Sequence, residues 1–331
     1  MSKSNFDDLY LSDIHIENEN NLNHENNRIY RTRIEFNFPF IENEISKNNP
    51  DNCILIDEDG DLVIKRGSKT EQFLNKHLIY IDHHRQTKLD DVGLQLWRAT
   101  FFLSDYLIYL NTLENNLYSF RDQVIVDLGT GLGFTSFIST LFNPKRIYST
   151  DLKKCLELAE QNWFSNKNVF DEISKKNIDF IYFKQIDWFN HENLFKTNND
   201  GDKYSLNQND FEFIRDASIF IAADVIYDNS ITTALMNTLY KLMTNGKRTK
   251  KVCIISNEQR INFNTEYLTC TDTAYDYFRE CLNDLDGYID EENKYKFEIE
   301  DVKFDKDLPK YIINYNRNDY LFIWMIKCYP I

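Results

Sequence analysis

The chain has 331 residues, of which 42% are hydrophobic and 27% are charged, and its formal net charge at pH 7 is −15. That length suffices for one α/β domain of about 200–250 residues with a smaller appendage. The negative charge disfavours direct contact with nucleic-acid phosphates or anionic membranes and favours a basic partner, although an acidic soluble surface explains the same charge without any partner.

Cysteine usage and the lack of long apolar runs bear on the compartment. The six cysteines form no C-x-x-C pair, a pattern that fits buried thiols in a reducing compartment better than a disulfide framework or a zinc site. Residues 1–13 lack the apolar core of a signal peptide, and no run approaches the roughly 20 apolar residues that span a bilayer. We expect a soluble, monomeric protein of the nucleus or the cytoplasm, without membrane contact.

The N-terminal part of the chain carries short β signals between polar stretches. Residues 13–28 are polar and Asn-rich, which predicts disorder. The alternation in 31–40 predicts an exposed strand, and two β-like runs around the Asp-Gly turn in 53–66 predict a hairpin. The predicted organisation is a disordered tail over 1–30, a small β-rich element over 31–85, and a main domain over 86–331 with an Asn-rich surface insertion near 190–210.

From about residue 92 onward, strand-like and helix-like segments alternate. Helical periodicity at 92–110 is followed by an apolar strand at 123–129 and a helix from Phe134. Further strands are predicted at 146–151, 178–188, 217–224, 251–257, 294–304 and 319–329, and further helices at 152–165, 230–243 and 273–285. This alternation predicts an α/β fold with a mostly parallel Rossmann-like sheet and helices on both faces. The last two strands, with no helix between them, predict an antiparallel edge.

A glycine-rich turn is the strongest functional signal. The segment VIVDLGTGLGFTSF at 124–137 runs from a hydrophobic strand through Asp127 and three alternate glycines into a helix. Glycine lets the backbone turn sharply and approach a ligand without a Cβ in the way, and this edge of a parallel sheet is where ligands bind. Asp151 closes the second strand, where a carboxylate can accept both ribose hydroxyls of an adenosine or, alternatively, cap the next helix.

Two further strand ends carry candidate binding and catalytic residues. Asp187 and Trp188 follow the third strand and offer hydrogen bonding and stacking to an adenine ring, although a Trp there would also suit a core. After the fourth strand, Ala223 leaves room for a cofactor. Asp224 and Tyr227 place a carboxylate and a phenol near a reaction centre.

Together these motifs resemble those of the methyltransferase-like family of seven-β-strand protein lysine methyltransferases. The matching residues are the glycine turn at 127–133, Trp97 in the preceding helix, Asp187-Trp188, and the D-x-x-Y motif from Asp224 to Tyr227. Two segments, 93–107 and 257–281, are also similar to the methyltransferase-like protein 22 group. The resemblance covers about residues 80–330.

The resemblance implies an S-adenosylmethionine-dependent enzyme that methylates a lysine on another protein. It implies a seven-strand sheet in which the cofactor contacts Trp97, Asp127, Gly129, Thr130, Gly131, Asp151, Trp188 and Ala223. Asp224 and Tyr227 would border the lysine channel, with Asp224 orienting the amine. Asn257, Glu258 and Arg260 would lie on the substrate side. An acidic enzyme suits a basic, nucleic-acid-associated protein substrate with an exposed lysine.

Several alternatives stay open from the sequence. The acceptor can be a histidine, a small molecule or RNA, and the fold can serve as a scaffold that binds the cofactor without turnover. A nicotinamide-dependent oxidoreductase is disfavoured because the turn reads G-x-G-x-G and no second catalytic domain follows. The adjacent His83 and His84 would point to opposite faces of a strand, so we expect no metal site.

Overall fold

The protein is described by a computed structural model. It covers residues 10–11, 29–39, 74–113, 119–196, 201–260, 262–264, 269–292, 294–303 and 308–331. The predicted hairpin at 53–66, most of the predicted tail and residues 197–200 of the predicted insertion lie outside the described residues. No helix in the described ranges is long and apolar enough to cross a membrane.

An eight-stranded sheet forms the centre of the main domain. Its parallel strands are β5 (Val124–Leu128), β6 (Arg146–Asp151), β7 (Ile181–Gln185), β8 (Ile219–Ala223) and β9 (Lys251–Glu258). Its remaining strands are β12 (Ile289–Asp290), β13 (Tyr295–Asp301) and β14 (Leu321–Pro330). The spatial order is β12-β13-β14-β9-β8-β5-β6-β7. The last two long strands, β13 and β14, pair antiparallel with each other as predicted. β14 also pairs antiparallel with β9, so it lies between β9 and β13. The two-residue β12 pairs with β13 and adds an eighth strand to the seven that were predicted.

Six helices accompany this sheet in the described part of the chain. They are α1 (Arg98–Thr112), α2 (Phe134–Ser139), α3 (Lys153–Ser174), α4 (Gln208–Arg215), α5 (Asn229–Thr244) and α6 (Thr273–Leu285). Alternate residues of β5 face different cores: Ile125 packs with residues of α1 to α3, whereas Val124 and Val126 pack with residues of α4 to α6. The predicted α/β fold with helices on both faces is therefore confirmed.

The N-terminal strands form a separate sheet that is attached to the main domain. β2 (Tyr30–Pro39) pairs antiparallel with β3 (Leu74–His83), and the short strands β1 (Tyr10–Leu11) and β4 (Gln86–Thr87) pair with each other. The sequence predicted an exposed strand at 31–40. Instead, one face of β2 is buried, because Phe36 stacks on Phe170 of α3 with ring centroids 6.0 Å apart. A further small hairpin joins β10 (Asn262–Asn264) to β11 (Thr269–Thr271).

Two asparagines of α3 form hydrogen bonds with the backbone N–H and carbonyl groups of β3, as a neighbouring strand would. The Asn162 amide accepts from the Asp82 N–H at 2.8 Å and donates to the Asp82 carbonyl at 3.0 Å. Asn166 does the same for Tyr80, at 2.9 and 2.7 Å. One turn of helix separates the two amides, so both lie on the same face. The N-terminal sheet is thus hydrogen-bonded to the helix that starts beside Asp151.

We expect Asn162→Ala to lower the free energy of unfolding by about 1–2 kcal/mol, because it removes the partner of a partly buried N–H and a partly buried carbonyl of β3. Urea unfolding followed by tryptophan fluorescence measures this change. Asn168 lies exposed on the same helix, and Asn168→Ala should change the free energy by less than about 0.5 kcal/mol. Equal losses in the two variants would show that the amide bonds to β3 are not what stabilises this contact.

Candidate functional site

The glycine turn adopts a backbone that requires glycine. Gly129, Gly131 and Gly133 have φ values of +71°, +55° and +89°, in the left-handed region. A Cβ on Gly131 would lie 2.9 Å from the Gly93 carbonyl oxygen, and one on Gly129 would lie 2.8 Å from Val225 Cγ1. The turn therefore presents bare backbone between β5 and α2, with the segment before α1 packed against it.

Asp127 lies beneath this turn. Its Oδ2 accepts hydrogen bonds from Thr130, Thr135 and Ser136 at 2.8, 2.6 and 2.7 Å, and the side chain is completely buried. Burial raises the pKa of this carboxyl, and the three hydroxyl donors oppose that rise. Asp127 does not line the cavity described next, so the geometry offers it as a brace for the turn rather than as the predicted cofactor contact.

A cavity of about 980 Å³, including its open mouth, lies at the carboxyl edge of the parallel strands. Of the predicted cofactor and catalytic residues, those in its wall are Trp97, Gly129, Thr130, Gly131, Asp151, Trp188, Ala223, Asp224 and Tyr227. Five segments that are distant in sequence supply them. Four of these segments follow parallel strands, which end at one edge of the sheet, and the fifth contains Trp97 just before α1.

Asp151 and Trp188 border the half of the cavity nearest the glycine turn. Asp151 Oδ2 accepts from the Gly131 N–H at 2.8 Å, and its Oδ1 accepts from the Leu152 N–H at 2.7 Å. Burial raises the pKa of Asp151, and these N–H donors oppose the rise. The Trp188 ring lies over the turn, since a Cβ on Gly129 would be 3.0 Å from its Cη2. The buried Trp188 Nε1 has no hydrogen-bond partner among the described residues, so it is a donor suited to a ligand.

These features fit S-adenosylmethionine. The glycine backbone leaves a space that any side chain would fill, Asp151 brings a carboxylate to the position suited to ribose hydroxyls, and Trp188 offers a flat ring for adenine. Trp97 also lines the cavity, and its Nε1 is fixed by a 2.9 Å bond to the Val92 carbonyl. The cavity therefore combines polar recognition at one end with aromatic walls.

Asp224, which also lines the cavity, is held in an unusual conformation. Its φ is +57°, which is uncommon for a residue other than glycine, and its N–H donates to the Ser256 carbonyl at 2.8 Å. Its carboxylate pairs with Arg260 at 2.8 Å. Tyr227 lines the same cavity, and burial raises the pKa of its phenol, which stays protonated at neutral pH.

The predicted substrate-side residues differ in their positions. Asn257 is buried and forms two hydrogen bonds with the Ile226 backbone, at 2.9 and 3.0 Å, so it holds the loop between Asp224 and Tyr227. Glu258 is also buried and pairs with Arg98 at 2.6 Å. Neither lines the cavity. Arg260 does not line it either, but it touches two residues that do, Asp224 and Trp97.

Several residues of the site were not singled out from the sequence. Gly93 packs its carbonyl against the turn, Cys155 lines the cavity, and Arg98 and Asn318 both bind Glu258. Of these four residues, only Arg98 could have been found from the sequence, because it is adjacent to Trp97. The contacts of Asn318 join positions 60 residues apart and have no local signature.

The two adjacent histidines do not form part of a metal cluster in the described ranges. His83 is buried in the N-terminal sheet, where its Nε2 is hydrogen-bonded to Thr32 Oγ1 at 2.8 Å. Burial lowers the pKa of His83, which favours the neutral ring. The geometry therefore gives it a place in the packing of this sheet.

The sequence of this chain is similar to a protein family and to individual curated proteins. The profile described as lysine methyltransferase matches residues 76–274. The chain is 30% identical to methyltransferase-like protein 22 of Homo sapiens over 258 residues, which are 77% of this chain and 58% of the relative. It is 29% identical to the Mus musculus protein of the same name, over 84% of this chain and 65% of the relative. The chain thus spans less than two thirds of the length of these curated relatives.

Among solved structures, the phosphoethanolamine N-methyltransferase 1 of Haemonchus contortus in complex with S-adenosylhomocysteine is similar to this chain with a TM-score of 0.42. Its identity is 14%, over 70% of this chain and 43% of that one. The family match covers more than half of the chain, and the motif residues within it line one cavity. The chain belongs to the lysine methyltransferase family, a family of S-adenosylmethionine-dependent enzymes.

Proposed function

We propose that the protein is an S-adenosylmethionine-dependent protein-lysine N-methyltransferase. The observation that carries the proposal is the position of Asp224: a buried carboxylate in the wall of the same cavity as the glycine turn, beside Tyr227. A carboxylate accepts hydrogen bonds and therefore suits an amine acceptor, which brings N–H donors. The match to the lysine methyltransferase profile and the 30% identity to methyltransferase-like protein 22 support the same acceptor class.

When bound, S-adenosylmethionine supplies a methyl group on a positively charged sulfonium. The residues of this chain hold the amine at near-attack distance and in line, which is the main requirement for this transfer. Asp224 orients the amine by accepting a hydrogen bond from it, and Tyr227 and Trp97 restrict the channel. The lysine must lose its proton before its nitrogen lone pair forms the new bond, since an ammonium has no free pair.

The proposed partner is a basic, nucleic-acid-associated protein with an exposed lysine. The formal charge of −15 supports a basic partner and disfavours direct binding of nucleic acid. We propose that the enzyme acts as a monomer in the nucleus or the cytoplasm. Fractionation of cells with an antibody against the protein, and its mass in solution by light scattering, test these two points separately.

Asp224→Asn is expected to lower methyl transfer by about 10- to 100-fold, because the amide holds and orients an amine less well than the carboxylate. It should leave the affinity for S-adenosylhomocysteine within about threefold, since Asp151 and the glycine turn are unchanged. Asn is a suitable replacement because it tolerates a positive φ. The assay is transfer of radiolabelled methyl from S-adenosylmethionine into a cell extract, followed by mass spectrometry of each labelled band.

The matched control is Asp276→Asn, an exposed position on α6, which should transfer label at the wild-type rate. Label on a lysine that fades with Asp224→Asn supports the proposal. Label on histidine or RNA would replace the acceptor while keeping the cofactor. Cofactor binding without any label from any extract would favour a scaffold instead.

A further inference from the structure

Two ion pairs involve residues in the cavity wall or next to it, and we call the part of that wall formed by Asp224 and Tyr227 the acceptor end. Asp224 pairs with Arg260 at 2.8 Å, and Glu258 pairs with Arg98 at 2.6 Å. The Asp224 side chain is only 1% exposed, whereas that of Arg260 is 30% exposed. The Arg260 guanidinium also lies over the Trp97 ring, 4.9 Å from its centroid. Arg260 thus contacts two residues that line the cavity, Asp224 and Trp97, without lining the cavity itself.

Both members of the Asp224–Arg260 pair are held by their backbones. The left-handed φ of Asp224 and its N–H bond to Ser256 fix the backbone from which the carboxylate projects. The Arg260 N–H donates to Asp272 Oδ2 at 2.6 Å, and the neighbouring Gln259 N–H donates to the Tyr320 carbonyl at 2.9 Å. The ion pair is therefore part of the fold rather than a chance contact between two flexible side chains.

The other carboxylates near this end already accept hydrogen bonds within the protein. Asp151 accepts from two N–H groups, Asp228 caps α5 through Ser230 and Ile231, and Asp272 caps α6 through Tyr275. Glu258 accepts from Arg98 and Asn318. The groups that act on the Tyr227 phenol include two of these carboxylates, Asp151 and Asp228, together with the buried thiol of Cys155 and the Arg260 guanidinium. Asp224 is the carboxylate of the D-x-x-Y loop that lines the cavity and is paired with Arg260.

An unneutralised carboxylate at this position would oppose catalysis. It would stabilise an incoming lysine in its ammonium form, which cannot attack a methyl group. A guanidinium 2.8 Å from the same carboxylate offsets its charge, so an amine in the cavity meets a weaker negative field. The aromatic face of Trp97 keeps the guanidinium in this place.

We propose that Arg260 is a positioning residue that neutralises Asp224, so that the acceptor amine enters the cavity without its proton. This inference rests on the proposed function, because it concerns the amine acceptor of that same site. It predicts that the loss of the Arg260 charge makes the acceptor end more favourable to cations. The transfer reaction then needs a higher pH, because Asp224 alone raises the pKa of the acceptor lysine.

A binding experiment that needs no protein substrate tests whether Arg260 offsets the charge of Asp224. S-adenosylmethionine carries a sulfonium cation and S-adenosylhomocysteine a neutral thioether, so the ratio of their dissociation constants reports the potential in the cavity. Calorimetry on Arg260→Gln should show the preference for S-adenosylmethionine rising by about fivefold, whereas Arg260→Lys retains the charge and should keep the wild-type ratio. Arg279→Gln, an exposed position on α6, is the matched control.

A kinetic experiment tests the acceptor. The acidic limb of the pH profile for label transfer into the extract should move upward by about one pH unit in Arg260→Gln and should stay in place in Arg260→Lys. If Arg260→Gln does not fold, Asp224→Asn provides the opposite charge change and should lower the preference for S-adenosylmethionine. Equal weakening of both ligands with an unmoved limb would overturn the inference and leave Arg260 a structural residue. Absence of lysine label from the wild type would instead overturn the proposed function, while the binding ratios still decide the role of Arg260.

Discussion

Gly131→Arg is expected to abolish cofactor binding, with an affinity for S-adenosylhomocysteine at least about 1000-fold weaker than that of the wild type. Gly131 has a φ of +55°, and a Cβ there would lie 2.9 Å from the Gly93 carbonyl oxygen, a backbone atom that cannot swing aside. The rest of an arginine side chain would then have to enter the cavity that Gly131 lines. Calorimetric titration with S-adenosylhomocysteine measures the loss, and circular dichroism verifies that the variant is folded.

Gly201 provides a control for the backbone cost alone. Its φ is +72°, but a Cβ there would meet nothing within 4 Å. Gly201→Arg should therefore lose only the about 1 kcal/mol of stability that a left-handed non-glycine residue costs, and bind the ligand normally. A folded Gly131→Arg protein with wild-type affinity would show that the ligand does not occupy this part of the cavity.

The main sheet was predictable because its signals are local. The strand at Arg146–Asp151 and the helix at Thr273–Leu285 were predicted with the observed bounds, since each is an apolar run or an amphipathic period between clear breaks. The helix predicted at 152–165 continues to Ser174. Its last turns are stabilised by Phe170, which packs under β2, and such a tertiary contact leaves no mark in the local sequence. α4 was missed because the Asn-rich composition around it predicts a loop, although Asn207 caps that helix in a capping box.

The sequence indicated which strand ends form the site, but it did not indicate the directions in which their side chains point. Residues that follow parallel strands gather at one edge, which placed the glycine turn, Asp151, Trp188 and Asp224 together correctly. Whether a residue points into the cavity or beneath it depends on neighbours far along the chain. Asp127 faces α2 and Asn257 faces the loop at Ile226. The pairing of Asp224 with Arg260 depends on the register between β8 and β9, which no motif encodes.

Asp105→Ala is expected to lower the free energy of unfolding by about 3–5 kcal/mol, because it removes a buried carboxylate that anchors the C-terminal segment. Asp105 Oδ1 accepts from the N–H groups of Tyr311 and Ile312 at 2.7 and 2.8 Å. Its Oδ2 accepts from Arg317 at 2.6 Å and from the Tyr315 hydroxyl. The substitution leaves the guanidinium partly buried without its counter-ion. Urea unfolding followed by tryptophan fluorescence measures the loss.

Removing both charges should be less harmful than removing one. In Asp105→Leu with Arg317→Met no buried charge is left unpaired, so the double variant should recover part of the stability lost by either single variant. A double variant that loses the sum of the two single losses would show that the residues act independently. Asp276→Ala, on the exposed side of α6, should leave the free energy of unfolding within about 0.5 kcal/mol of the wild type.

The hydrogen bonds and ion pair of Asp105, which anchor the C-terminal segment, also link the stability of the fold to the cavity. The segment held by Asp105 hydrogen-bonds to β2, through Asn37 N–H to the Tyr311 carbonyl and Ile313 N–H to the Glu35 carbonyl, both at 2.9 Å. Asp105 itself lies on α1, whose first residue follows Trp97 in the cavity wall. If the anchor fixes the position of α1, Asp105→Ala should also weaken S-adenosylhomocysteine binding by about tenfold at temperatures where the variant remains folded. Wild-type affinity in that folded variant would mean that Trp97 is positioned by its own bond to Val92 and not by the anchor.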